Sequence, residues 1–271
     1  MKRIAMPPSP VYVTSSINID TIRVNLGANA RDRRLAHGSA QSGRNHQMLL
    51  YAHRGDSVTA PENTLRAFVL AIEAGAYGIE LDVRASADSV PVVIHDRGLE
   101  RTTNGQGNID ELSLAEIRQA DAGDGQSVPT LGEVLDLVGE RIHLDLEMKQ
   151  LGIEHLVVDS LSRHPEVNWI ISSFDWNVLR RIRVIAPDAE LWPLSTGTTT
   201  AVIEAAHSLG SPYIAVNHSG ITEETAQVAS EAGLRIFAWT VNDSDEARRL
   251  KSLGVHAFCT DDPKRLLPAI N

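Results

Sequence analysis

From Met48 to the C-terminus, short apolar runs rich in β-branched residues alternate with stretches whose apolar residues recur at helical spacing. That alternation marks βαβ units and restricts the chain to a parallel sheet covered by helices. The spacing predicts strands over 48–52, 78–83, 90–95, 142–147, 168–173, 189–192, 212–216, 235–240 and 256–259. Helices are expected over 63–75, 131–139, 153–163, 175–186, 200–209, 222–232, 243–253 and 263–269. Asn63 and Gly75 bracket the first helix as cap residues, and Asp243 and Gly254 bracket a later one.

Nine strands are one too many for a closed eight-stranded barrel, and spacing identifies the extra one. Only about six residues, with a turn at Asp88-Ser89, separate the strands at 78–83 and 90–95. A parallel crossover needs roughly a dozen, so this pair is antiparallel. Strand 90–95 therefore belongs to an insertion, about residues 85–130, that follows the second barrel strand. Eight strands with their helices remain, which is the count of a (β/α)8 TIM barrel.

Residues 1–47 read differently. They carry seven Lys/Arg against two Asp/Glu, hold Pro7, Pro8 and Pro10, and show no sustained apolar pattern. This segment is read as a disordered leader or as an extension upstream of a true start at Met48. It lacks the apolar stretch of a secretory signal. The single cysteine, Cys259, permits a reducing compartment, so a cytoplasmic location is expected. A net charge of −10 argues against a nucleic-acid partner. No run of apolar residues is long enough for a membrane anchor. The sequence leaves the oligomeric state open.

Chemistry in such barrels sits at the C-terminal strand ends. The first strand ends in His53-Arg54-Gly55, and the second runs through Glu80-Leu81-Asp82, whose alternation puts both carboxylates on one face. The next barrel strand ends in Asp145-Leu146-Glu147-Met148-Lys149, and the inserted strand ends in His95-Asp96. Later ends supply Phe174, Asn217-His218 and Trp239. Charges this deep in β-rich segments need pairing or a metal ion.

These residues resemble those of the glycerophosphodiester phosphodiesterase family. The likeness rests on His53-Arg54-Gly55, Pro61-Glu62-Asn63-Thr64, Glu80-Leu81-Asp82-Val83 and His95-Asp96. It continues through Arg101-Thr102-Thr103 with Gly105 and Gly107, Leu146-Glu147-Met148-Lys149 and Trp239-Thr240-Val241-Asn242, in family order over roughly 48–268. Ser86 and Ser89 replace the family's usual Thr and Gly in a turn. The resemblance implies Glu80, Asp82 and Glu147 as metal ligands.

The residues have a physical reading of their own. Three clustered carboxylates are unfavourable without a cation between them, and all-oxygen ligation suits one Mg²⁺ or Ca²⁺. The competing reading pairs them with Arg54 and Lys149. Glu62 could join the metal shell, orient His53 or merely start a helix. His53 and His95 are candidate acid and base for phosphodiester cleavage, His95 being the expected acid because the inserted loop can reach over the pocket. Arg54 and Lys149 are placed to hold phosphoryl oxygens. Phe174 and Trp239 could line the pocket for the alcohol or simply pack, and Asn217 and His218 stand equally open. Gly105 and Gly107 do not make a nucleotide loop, since no strand leads into them and no Lys-Ser/Thr follows.

With the chemistry of these residues, the resemblance implies metal-dependent hydrolysis of glycerophosphodiesters to glycerol 3-phosphate and an alcohol. The alternatives are a lysophospholipase D-like or sugar-phosphodiester enzyme, or a barrel that binds phosphodiesters without cleaving them.

Overall fold

A computed structural model describes residues 48–270 of the chain. The leader expected over 1–47 lies outside the described residues. In chain order the elements are β1 (Leu49–His53), α1 (Leu65–Ala74), β2 (Gly78–Ala85), β3 (Pro91–Val93), α2 (Leu114–Ile117), α3 (Leu131–Val138) and β4 (His143–Met148). There follow α4 (Glu154–Ser162), β5 (Trp169–Ser173), α5 (Trp176–Ile185), β6 (Leu191–Ser195), α6 (Thr200–Leu209) and β7 (Tyr213–Asn217). The chain ends with α7 (Glu223–Glu231), β8 (Arg235–Trp239), α8 (Ser244–Ser252), β9 (Ala257–Thr260) and α9 (Pro263–Ile270).

The sheet runs β1-β2-β4-β5-β6-β7-β8-β9, and β9 pairs back onto β1. All eight are parallel to their neighbours, which makes a closed (β/α)8 barrel. β3 alone is antiparallel, pairing Val83 with Val93 and Ala85 with Pro91 on β2. Five residues between two strands allow no other pairing.

Period-2 alternation sorts each strand into two cores. Leu50, Ala52, Ile79, Leu81, Leu144 and Leu146 point outward and are buried against the helices. Tyr51, Trp192, Tyr213 and Phe237 point inward and fill the barrel as an aromatic plug. Gly78 makes room for it: a Cβ there would stand 2.3 Å from the Tyr51 ring. The insertion has a third core, centred on Val92, Ile94, Leu99, Ile109 and Ile117.

Two details depart from the sequence reading. Thr64, not Asn63, caps α1 by accepting from the Ala67 amide. Asn63 lies one residue earlier with φ 57°, which turns its side chain into the barrel mouth. The one-turn helix α2 was not anticipated, since four residues show no periodicity. Gly75 and Asp243 cap as expected.

Candidate active site

β2 and β4 lie side by side, with Glu80 opposite Asp145 and Asp82 opposite Glu147. Because all four occupy inward positions, the sheet register alone brings their carboxylates to one place. Oxygens of Glu80, Asp82 and Glu147 lie within 4.8 Å of one another, all three side chains buried. Lys149 Nζ sits 2.5 Å from Glu147 and 3.2 Å from Asp82, and Arg54 Nε is 3.1 Å from Asp82. The Asn63 amide donates to Asp82 at 2.7 Å.

These partners compensate the carboxylates unequally. Burial alone would raise Asp82, yet Lys149 and Arg54 hold it below the usual carboxylate range. Glu80 is pushed well up by burial and by the neighbouring Asp82 and Glu147, and its Oε1 is buried with no hydrogen-bond partner. Asp145, one pleat deeper, accepts from Ser172 at 2.6 Å and is pushed up to about 8 by burial. The ion pairs with Arg54 and Lys149 thus exist, and the Arg54 amide reaches Glu80 Oε2 at 3.2 Å, but Glu80 Oε1 is left without a partner. An orphaned buried oxygen in an all-oxygen cluster fits a hard divalent cation.

Each histidine rests on its own carboxylate. His53, beside Glu80 in register, contacts Asp261 Oδ1 through Nδ1 at 2.6 Å. Asp261 accepts in turn from Asn242 at 2.6 Å and from Ser57 at 3.3 Å. An acidic acceptor at Nδ1 calls for a proton there, which in the neutral ring leaves the lone pair on Nε2. That atom lies 3.8 Å from Glu80 Oε2. His95 Nδ1 contacts Asp96 at 2.5 Å. Burial lowers the His95 pKa, while hydrogen bonds from Arg101 hold Asp96 far below its ordinary value. The His53 loop is tightly seated, since a Cβ on Gly55 (φ 87°) would strike the Ala67 backbone.

Glu62 neither joins the carboxylate cluster nor touches His53. It bonds Arg54 at 2.7 Å and Arg101 through two contacts of 2.9 Å. Phe174 and Trp239 meet edge to face at the mouth, 5.4 Å between centroids, and Phe174 is 46% exposed. Lys149 Nζ lies 6.0 Å from the Phe174 ring centre. Asn217 caps the turn that follows it, and His218 pairs with Glu246, so both have partners away from the carboxylate cluster. His143, His164 and His207 are bound to Tyr51, Ser160 and Ala232. The amides of Gly105 and Gly107 donate to Thr103 and Glu100 within the insertion.

Sequence reasoning missed Asp261 and the bond from Asn63 to Asp82. Barrel closure could have revealed the first. The last strand must pair with the first, so the residue just past Thr260 arrives beside His53.

A closed barrel with an oxygen-only carboxylate cluster and two carboxylate-bound histidines at its strand ends is the form of a (β/α)8 phosphodiester hydrolase. The profile of the glycerophosphoryl diester phosphodiesterase family matches residues 53–265, and the chain belongs to that family. It is 35% identical over 233 residues to a glycerophosphodiester phosphodiesterase of Caldanaerobacter subterraneus, spanning 81% of this chain and 96% of that one. An Oleispira antarctica phosphodiesterase, solved with its product sn-glycerol-3-phosphate, superposes with a TM-score of 0.79 at 31% identity, covering 82% and 96% of the two chains. The glycerophosphodiester phosphodiesterase of Thermotoga maritima gives 0.72 at 27% identity, covering 83% and 99%.

Proposed function

We propose that this chain hydrolyses glycerophosphodiesters to glycerol 3-phosphate and a free alcohol, with one Mg²⁺ or Ca²⁺ held by Glu80, Asp82 and Glu147. The observation that carries this reading is the buried carboxylate cluster with its unpartnered Glu80 oxygen, flanked by His53. When bound, the cation offsets phosphate charge as it builds in the transition state. Lys149 and Arg54, at the rim of the same cluster, would hold phosphoryl oxygens. His53, with Nδ1 fixed on Asp261, offers Nε2 to take a proton from the attacking water, or from a glycerol hydroxyl whose cyclic phosphate a water then opens to glycerol 3-phosphate. His95, fixed on Asp96, gives a proton to the departing alkoxide. Phe174 and Trp239 form an apolar wall at the mouth against which the alcohol can rest.

No described helix is long and apolar enough to cross a membrane, and a cytoplasmic site of action fits the single buried cysteine. A turnover screen of glycerophosphocholine, glycerophosphoethanolamine, lysophospholipids and sugar phosphodiesters with Mg²⁺ or Ca²⁺ tests the assignment. Glycerol 3-phosphate released from the first two supports it. Preference for lysolipids or sugar diesters replaces the substrate, and cleavage of none overturns the reading.

A further inference from the structure

The Arg101-Thr102-Thr103 motif has no part in the chemistry above, although Arg101 lies between two groups that do. Its guanidinium grips both Asp96 oxygens, Nε at 2.6 Å and Nη2 at 3.1 Å. The same group reaches both oxygens of Glu62, Nη1 and Nη2 each at 2.9 Å. Beyond Asp96 stands His95; beyond Glu62 stands Arg54, itself on Asp82. One side chain thus joins the insertion, which has its own core, to the loop after β1.

We propose that Arg101 is a positioning residue for the reaction, setting the distance between the His95 proton donor and the phosphate grip of Arg54 through Asp96 and Glu62. The proposal rests on the reading of His95 as the leaving-group acid. An exposed ion pair ordinarily contributes little because both partners wander. Here each carboxylate is fixed from its far side, and each is met by two guanidinium nitrogens, a geometry an ammonium cannot reproduce. Thr103 stiffens the turn that carries Arg101, bonding Leu99 O at 2.8 Å and receiving the Gly105 amide at 2.9 Å. The Arg101 side chain is 46% exposed, so its place is not in a core.

The test is a double-mutant cycle on glycerophosphocholine with Mg²⁺, following kcat, KM and melting temperature of Arg101→Gln in the wild-type and His95→Ala backgrounds. Arg101→Gln is expected to lower kcat roughly 10- to 100-fold in the wild-type background, with KM changed little. In the His95→Ala background it should cost several-fold less, because of its two routes only the one through Glu62 to Arg54 remains. Arg101→Lys should recover only part of the loss. Full activity of Arg101→Gln overturns the proposal, as does a loss that tracks melting temperature. An equal cost in both backgrounds also overturns it, since Arg101 would then act without coupling to His95. His95→Ala on glycerol p-nitrophenyl phosphate checks the underlying reading separately. If that variant loses as much there as on glycerophosphocholine, the acid role falls, and the proposal with it.

Discussion

The two ends of the barrel are built from the same strands by opposite rules. Toward the N-terminal ends, inward positions hold Tyr51, Trp192, Tyr213 and Phe237, packed edge to face or tilted with centroids 4.4–6.0 Å apart. Tyr77 stacks on His143, and the Tyr51 hydroxyl meets His143 at 3.0 Å. A surface hollow of about 400 Å³ beside Trp169 and Glu190 opens at this end. Two pleats further along the strands, the same inward face holds Glu80, Asp82, Glu147 and Lys149, where like charges crowd and one carboxylate oxygen has no partner. The aromatic end gains stability from burial; the charged end spends some of it to hold groups apart for a ligand. Substitutions at the two ends should therefore fail in different ways.

The largest effect falls at the charged end. Glu147→Gln and Glu80→Gln should each lower kcat by roughly 10²- to 10³-fold, about 3–4 kcal/mol of barrier, with the fold intact by circular dichroism. Calorimetric titration with Ca²⁺ or Mg²⁺ should show weakened binding in both. Unchanged cation affinity would break the contrast between the two ends.

Asp261→Asn comes next. Replacing the carboxylate on His53 Nδ1 should reduce kcat by roughly 10- to 100-fold while the melting temperature moves little, since Asp261 lies at the mouth. Steady-state kinetics alongside thermal melts separates the two. A large loss of stability with normal turnover would assign Asp261 to the structure instead.

At the aromatic end the pattern should reverse. Gly78→Ala drives a methyl into the Tyr51 ring and should destabilise by about 1–3 kcal/mol. That corresponds to roughly 2–4 °C per kcal/mol in a chain of this size. Activity per folded molecule should hold. Activity falling further than the folded fraction would show that the plug positions the charged face.

The smallest effect belongs to Asp145, which lies between the two ends. Its carboxyl is held at about 8, far above its ordinary value, by burial. Folding therefore favours the protonated form, a contribution complete below about pH 4 and lost as pH rises through about 8. Asp145→Asn should raise the melting temperature by clearly more at pH 9 than at pH 5, since only above about 8 is the buried carboxyl forced to ionise. Thermal melts of the metal-free protein at both values decide this. A shift of equal size at both would show that packing, not ionisation, distinguishes the two side chains.

The barrel was legible because every strand overlaps its apolar run, with β6 the furthest displaced at three residues beyond the expected end, and because a five-residue connection forces β3 antiparallel. The carboxylate cluster was legible for a related reason: alternation places Glu80 with Asp82, and Asp145 with Glu147, on one face whatever the partner strand. What stayed hidden depends on contacts between distant segments. Asp261 lies 208 positions from His53, and Arg101 lies 39 from Glu62. Spacing along the chain yields neither contact; Asp261 is reached only through the closure of β9 onto β1. Asn63 was hidden by its own chemistry, since an asparagine before a helix reads as a cap, and only the left-handed backbone shows that Thr64 took that task.

The central claim is that the charged end works as a cation-dependent phosphodiester-cleaving site. It is tested most directly by glycerol 3-phosphate release from glycerophosphocholine by the wild-type protein, first in excess EDTA and then after repletion with Mg²⁺ or Ca²⁺. The account predicts turnover near background in EDTA and its return with at least one of the two ions. Undiminished turnover in excess EDTA would contradict it.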